Sequence, residues 1–290
     1  MRMDFKRLQY FIAVADEGSI SGAAKKLFMS QPPLSLQMKL LEEDMGCCLF
    51  TRGARSIRLT EAGKVLYDRA KTLLEMDRVI REDVLAHAEA SGGTVRVGIV
   101  SSLVCTQAAD WVCDYAARHP DVRFEITETD TYELLEKLKD QIIQMAIVRS
   151  PFPATKMNCR RLYTDTMVAV CAKEKWDQPG ETVSLEALSR KPLIVYRRWE
   201  KIVRKWFADN GLPFSCVCLN DDARTTLHLT ELGMGIGIVP ERSVQGNEKV
   251  KILHIEEGGT ESDVDLVYPR LESLPAYARQ FIQDILKKNT

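Results

Sequence analysis

The chain has 290 residues, enough for two or three domains of ordinary size and a substantial core. Hydrophobic residues make up 45% and charged residues 28%, and 40 Lys+Arg against 41 Asp+Glu leave a formal net charge of -1, which excludes a disordered chain and a polybasic or acidic tail protein. The longest apolar stretches, such as Leu232 to Pro240, fall far below the roughly 20 residues that span a bilayer. Asp16 and Glu17 come too early for a secretory signal, so the expectation is a cytoplasmic protein without a membrane partner.

Leu8, Phe11, Ile12 and Ala15 recur at helical spacing, and Ile20, Ala23, Ala24 and Leu27 repeat the rhythm after a break at Gly18 and Ser19. A turn at Phe28, Met29 and Ser30 leads to Gln31, Pro32 and Pro33, where prolines suit a helix start and Ser30 is the natural N-cap. Leu34, Met38, Leu41 and Met45 carry the apolar face of that helix until Gly46. Two short helices joined by a tight turn, the second presenting polar residues outward, form a helix-turn-helix pattern. Leu49 to Arg52 and Ser56 to Thr60 flank Gly53 and Ala54 and predict a small wing. Within residues 18–60, Lys25, Lys26, Lys39, Arg52, Arg55 and Arg58 stand against Glu42, Glu43 and Asp44, and 6 - 3 = +3 is a basic surplus of the kind phosphate contact needs.

From Glu61, Ala62, Leu66, Ala70, Leu73, Met76, Ile80 and Val84 mark one face of a helix of about 28 residues, roughly 42 Å long. It outreaches the small domain before it, so pairing with a second copy is expected, with Leu66, Leu73 and Ile80 one heptad apart in the seam; packing against its own chain is the alternative. Ser91, Gly92 and Gly93 mark a domain boundary.

Beyond it, strands at 94–100, 122–127 and 145–148 alternate with helices at 111–117 and 131–139, as in a parallel sheet. A second series has strands at 167–172, 193–196, 216–219 and 236–239, with helices near Leu185 and at 202–209 and 224–232. A last helix over 276–287 returns to the first lobe. Eight cysteines show no metal-site spacing and read as buried or half-buried free thiols, with a redox role for the Cys216-x-Cys218 pair left open. His87 and His119 lack partners for catalysis, Gly233-x-Gly235-x-Gly237 lacks the context of a dinucleotide loop, and no Ser/His/Asp set appears, so neither an enzyme nor a cofactor is expected.

Arg7-Leu8-x-Tyr10-Phe11-x-Ala13-Val14-Ala15, Gly18-Ser19, Ala23-Ala24-x-x-Leu27, Ser30-Gln31-Pro32-Pro33-Leu34-Ser35, Leu41-Glu42-Glu43 and Leu59-Thr60-x-Ala62-Gly63 together resemble the LysR-type transcriptional regulators. The likeness is dense over residues 4–66 and architectural beyond, with Gly233 to Pro240 as its best local signature. It implies an α+β multidomain protein: a winged helix-turn-helix over 1–60, a dimerising linker helix and hinge over 61–92, and an α/β effector domain over 93–290. That last domain would have the two-lobed fold of periplasmic solute-binding proteins, with lobe I at about 93–163 and 270–290 and lobe II at about 164–269. The implied function is sequence-specific regulation of transcription controlled by a small effector bound between the lobes.

On this reading double-stranded DNA meets Ser30, Gln31, Pro32, Pro33, Ser35, Gln37 and Lys39. Gln31 suits paired hydrogen bonds to adenine, Pro32 a thymine methyl, and Ser30 and Ser35 phosphates. Arg55 matches the position that family members send into the minor groove, whereas Arg52 and Lys39 suit phosphate. Leu36 stands where a basic residue is common in the family. Effector contacts are expected from Ser101, Ser102, Thr131, Arg149, Tyr196, Arg197 and Thr225, with Arg198 and Thr226 alongside. The arginines and hydroxyls suit a small polar effector that bears a carboxylate. Gln144 replaces a frequent acid, and Asp130 and Gln141 replace glycines. The family also implies a dimer of dimers, with RNA polymerase as a partner if the protein activates. A solute-binding protein or enzyme on the same two-lobed fold, and an architectural DNA protein, are the competing classes.

Overall fold

The computed structural model describes residues 4–52, 57–88, 92–153, 156–176, 180–257 and 260–289. The chain divides into two compact units, residues 1–90 and 91–290.

In the first unit α1 (Phe5–Glu17), α2 (Ile20–Lys26) and α3 (Gln31–Met45) bury Phe11, Val14, Ala23, Ala24, Leu34, Met38 and Leu41 in one core. Gly46 ends α3 at φ +69, a left-handed conformation that costs glycine least. The wing is an antiparallel pair, β1 (Phe50–Arg52) and β2 (Ile57–Leu59), tied to the end of α1 because the Ile57 amide donates to the Gly18 carbonyl at 2.8 Å. Helix α4 (Glu61–Ala88) follows, with the full length that its apolar spacing predicts.

The turn into α4 explains the Thr60-x-x-Gly63 motif. Thr60 Oγ1 accepts from the Gly63 amide at 2.9 Å and donates to the Cys48 carbonyl at 2.9 Å, drawing the helix start against the wing. A Cβ on Gly63 would lie 2.1 Å from the Leu49 carbonyl oxygen, so backbone must move to admit one. Gly63→Ala should therefore destabilise the first unit by about 1–3 kcal/mol, read as faster amide hydrogen exchange in α3.

The second unit has two lobes on one continuous run of strands. β3 (Thr94–Val100), α5 (Ser101–Val104), α6 (Gln107–Arg118), β4 (Arg123–Thr129), α7 (Thr131–Lys139) and β5 (Met145–Arg149) begin lobe I, with β4, β3 and β5 parallel. β6 (Asn158–Ala172) then belongs to both lobes. Lobe II continues with β7 (Thr182–Val183), α8 (Leu185–Ser189), β8 (Leu193–Tyr196), α9 (Arg197–Asp209), β9 (Cys216–Asn220), α10 (Ala223–Glu231), β10 (Ile236–Pro240) and β11 (Val250–Ile255). β12 (Glu261–Tyr268) and α11 (Ala276–Lys288) return to lobe I.

The strand order is β4-β3-β5-β12-β6-β10-β8-β9, so β6 pairs with β12 through its first part and with β10 and β11 through its second. The return to lobe I thus begins at Glu261, earlier than the boundary expected near residue 270, because Val264, Leu266 and Val267 complete the lobe I sheet beside β5. Each lobe has its own apolar core.

All eight cysteines are free thiols. The expectation of buried or half-buried thiols fails for Cys47, Cys48, Cys105, Cys113 and Cys159, which lie in turns or on outward faces and are exposed. Cys216 and Cys218 are half-buried, and burial pushes the Cys216 thiol above its ordinary pKa, which disfavours the reactive thiolate.

Candidate DNA interface and interlobe cleft

Helix α3 turns Leu34, Met38 and Leu41 inward and leaves Gln31, Pro32, Pro33 and Lys39 exposed, with Ser35 and Gln37 half-buried at the edge. Leu36 is exposed on the same helix, a bare apolar group where a basic one would reach phosphate. Ser30 has the extended backbone of an N-cap, φ -80 and ψ 153, yet its hydroxyl caps nothing. The reason is local: a capping side chain accepts from the second or third helical amide, and here both residues are proline, which has no N–H. The Ser30 hydroxyl therefore has no role within the helix and faces outward.

The acids of this segment are occupied internally. Asp44 pairs with Arg7, Glu43 lies 3.6 Å from Lys39, and Glu42 Oε1 accepts from the amides of Leu49 at 2.7 Å and Phe50 at 3.1 Å, locking the recognition helix to the wing. The Lys39–Glu43 pair is exposed and weak, about 0.3–0.5 kcal/mol, so a phosphate can displace it. Arg52 ends β1, while Arg55 lies outside the described residues. The sequence places Phe28 in the turn but does not show its conformation or exposure. Phe28 adopts φ +53, a left-handed conformation that costs a non-glycine residue about 1–2 kcal/mol, and its ring is 98% exposed in the turn before α3.

In the second unit the parallel strands of both lobes end at one cleft of about 610 Å³. Lobe I supplies Ser101 and Ser102 after β3, Thr129 to Tyr132 between β4 and α7, and Pro151 after β5. Lobe II supplies Tyr196 to Trp199, Lys201 and Ile202 from the start of α9, and Asp221 to Ala223 from the start of α10. Ser101, Ser102, Thr131, Tyr196 and Arg197, distant in sequence, are thus brought together as expected.

Arg149 and Thr225 are not among the lining residues. Arg149 is wholly buried; its Nη1 donates to Ser262 Oγ and its Nη2 to Asp165 Oδ2, both at 2.8 Å, joining β5 to β6 and β12, while its Nε has no hydrogen-bond partner. Thr225 is exposed on α10, because the first turn of that helix presents Asp222 and Ala223 to the cleft instead. Thr226 is buried and bonded to Asn220. Of the departures from family pattern, Gln144 accepts from the Arg96 amide at 3.0 Å inside lobe I, and Gln141 takes a left-handed φ of +60. Asp130 caps α7, accepting from the amides of Tyr132 at 2.8 Å and Glu133 at 3.1 Å.

Four polar atoms around the cleft are buried without a well-formed hydrogen bond, Thr131 Oγ1, Tyr196 Oη, Arg198 Nε and Trp199 Nε1, although the Tyr196 hydroxyl lies within reach of the Trp199 and Ser102 side chains. Such atoms are costly unless something else satisfies them. The starts of α7 and α10 already carry carboxylate caps, whereas α9 opens at Tyr196 without a side-chain cap. Arg198 donates to the Arg149 carbonyl, a neutral acceptor, and burial lowers its pKa from a high ordinary value. Burial likewise pushes the Tyr196 hydroxyl up to about 12, against the pull of the Arg149 and Arg198 charges, so at neutral pH it stays protonated and able to donate. The half-buried Arg198, an open helix start and the side chains of Thr131, Tyr196 and Trp199 all border one cleft. Arg197, by contrast, is exposed and paired with Asp221 at 2.7 Å. Trp199, Lys201, Asp221 and Asp222 were not anticipated from sequence; their position just before or within the first five residues of a helix that follows a strand is the signal that would have found them.

The model of the bacterial regulatory helix-turn-helix proteins of the lysR family matches residues 5–64, and that of the LysR substrate binding domain matches residues 88–289. The HTH-type transcriptional regulator BsdA of Bacillus subtilis (strain 168) is 31% identical over 292 residues, covering 97% of this chain and 99% of the relative. Among solved structures, the LysR family transcriptional regulator CbnR superposes with a TM-score of 0.82 at 23% identity, covering 99% of this chain and 100% of CbnR. Full-length CbnR complexed with its target DNA gives 0.80 at 24% identity, over 98% and 99%. Those two likenesses carry the fold, and the two family models with BsdA carry the kinship. No helix among the described residues is long and apolar enough to cross a membrane. A helix-turn-helix unit followed by a two-lobed binding unit, matched over nearly its whole length, places this chain in the LysR family of transcriptional regulators, which are DNA-binding proteins rather than enzymes.

Proposed function

We propose that this regulator acts in the cytoplasm as a dimer, assembled further into a dimer of dimers, and that a small carboxylate-bearing metabolite in the interlobe cleft controls how its paired helix-turn-helix units sit on DNA. The observation that carries the effector reading is the set of buried polar atoms around one cleft, with Thr131 Oγ1 and Arg198 Nε lacking any partner and Tyr196 Oη and Trp199 Nε1 having none beyond each other and Ser102. A carboxylate offers acceptors to Arg198 and to the hydroxyls at once. Pro151 and Ile202 line the same space and suit an apolar remainder. On the DNA side, Gln31, Pro32 and Lys39 are the exposed groups of the recognition helix, and Ser30 contributes an uncommitted hydroxyl. RNA polymerase joins the list of partners if the protein activates.

A thermal-shift screen of small carboxylates tests the effector reading. A true ligand at about 100 times its Kd should stabilise the protein by about 2.7 kcal/mol, and Thr131→Ala should abolish that gain while leaving the unliganded melting temperature within a degree or two. Gln31→Ala should cost about 1–3 kcal/mol on a cognate duplex and little on random DNA. Equal loss on both would make Gln31 a positioning contact.

A further inference from the structure

Arg224, in the first turn of α10 on lobe II, reaches Glu128 near the end of β4 on lobe I, 96 positions away in sequence. Its Nη2 meets Glu128 Oε1, and its Nη1 lies 3.5 Å from Oε2. Both residues stand beside the backbone of the cleft: Glu128 immediately precedes Thr129 and Asp130, and Arg224 immediately follows Asp222 and Ala223. The pair therefore joins the two lobes beside the cleft.

The guanidinium is also held from its own side. Asp222 Oδ2 accepts from Nη2 at 2.7 Å and Oδ1 from Nε at 3.1 Å, while Oδ1 caps α10 by accepting the Arg224 amide at 2.7 Å. If the lobes part, Arg224 keeps Asp222 as its counter-ion and Glu128 passes into water, so neither arrangement leaves a buried charge unpaired. A contact satisfied in two arrangements is what a switchable closure requires. Two other arginines cross between the lobes, Arg198 to the Arg149 carbonyl and Arg242 Nη1 to Gln107 Oε1 at 2.7 Å, but both acceptors are neutral. Of these three crossings, that of Arg224 alone is an ion pair, and so the one that dissolved salt weakens most.

We propose that Arg224–Glu128 is an ionic latch beside the cleft that holds the lobes together and sets how readily small molecules pass in and out. Its functional meaning rests on the cleft being the effector site, but the latch itself is tested without a ligand.

The full-length protein, labelled with 5-fluorotryptophan and free of ligand, reports on the latch through Trp199, which lines the cleft, with Trp111 in the lobe I core as the internal reference. Relaxation of the Trp199 fluorine signal by a soluble paramagnetic chelate measures its exposure. At about 20 mM salt, Glu128→Gln should raise that relaxation about two- to five-fold over wild type, the factor expected for one exposed ion pair, with Trp111 unchanged. At about 1 M salt, where the Debye length is about 3 Å, wild type should rise to the level of the variant, which itself should respond little. A wild-type signal insensitive to salt overturns the latch whatever the variant does, and so does a Glu128→Gln protein indistinguishable from wild type at low salt. If the salt response appears but no small carboxylate stabilises the protein, the latch stands and the effector reading falls.

Discussion

Arg149→Ala should lower the stability of the second unit by about 3–5 kcal/mol, the range for removing one partner of a buried ion pair. Asp165 is buried with its Oδ2 on the lost guanidinium, and the substitution would leave it the main-chain donors of Thr166 at 3.0 Å and Arg242 at 3.4 Å on Oδ1. Ser262 would lose its donor as well. The measurement is clean because the tryptophans, at 111, 176, 199 and 206, all lie beyond residue 90, so urea unfolding followed by tryptophan fluorescence reads this unit alone. Replacing both charges with apolar residues, Arg149→Met with Asp165→Leu, should recover most of the loss, since a buried pair costs much of its attraction in desolvation. A single variant with an unchanged midpoint would show that the pair carries no structural weight. A loss of effector response in Arg149→Ala is expected to accompany this destabilisation, through the junction between β5, β6 and β12.

Leu73→Asp should convert the dimer to monomers at micromolar concentration, seen in sedimentation velocity. Leu73, Ile80 and Val84 fall within about 40° of one another on α4 at 3.6 residues per turn. They are 39%, 55% and 62% exposed in the single chain, an apolar stripe with nothing over it. A carboxylate placed in such a seam is desolvated without a partner, at a cost of several kcal/mol. Ile80→Asp should act alike. Leu66, expected in the same seam, packs instead against the core of the helix-turn-helix unit, so Leu66→Asp should unfold that unit as well as weaken the dimer. Wild type sedimenting as a monomer at the same concentration would remove the dimer altogether.

What the sequence made legible follows from how locally each feature is encoded. The spacing of Leu34, Met38 and Leu41, the prolines at 32 and 33 and the glycine at 46 specify α3 within fifteen residues, and the structure has it there. Parallel strands are buried on both faces: Leu193–Tyr196 reads as a continuous apolar run, and Thr94–Val100 is apolar but for Thr94, the buried Arg96 and Gly98. β12 was not legible because Glu261, Asp263 and Asp265 break its apolar run, and their partners on β6 are about a hundred residues away. The same limit governs the cleft. A serine or threonine at a strand end can be placed near a cleft from order alone, as with Ser101 and Thr131. Whether an arginine there faces the cleft or a buried aspartate depends on residues that no local pattern connects, and Arg149 Nη2 is bonded to Asp165. Ser30 shows a subtler case: its position as N-cap was readable, and so, from the two prolines, was the absence of any amide for it to cap.

Lobe I is assembled from both ends of the second unit. Its β5 pairs with β12 at Arg149↔Val264, and Phe281, Ile282 and Ile285 of α11 share a core with Trp111 and Tyr115 of α6. During synthesis, then, residues 94–149 emerge with one edge of β5 unpaired and part of their core uncovered, and they wait for more than a hundred further residues before either is closed. Lobe II, contiguous except for its share of β6, meets no such delay. The nascent regulator thus spends its exposed interval with lobe I incomplete, and that half-built sheet, not the DNA-binding unit already finished ahead of it, is where chaperone capture and aggregation compete with folding.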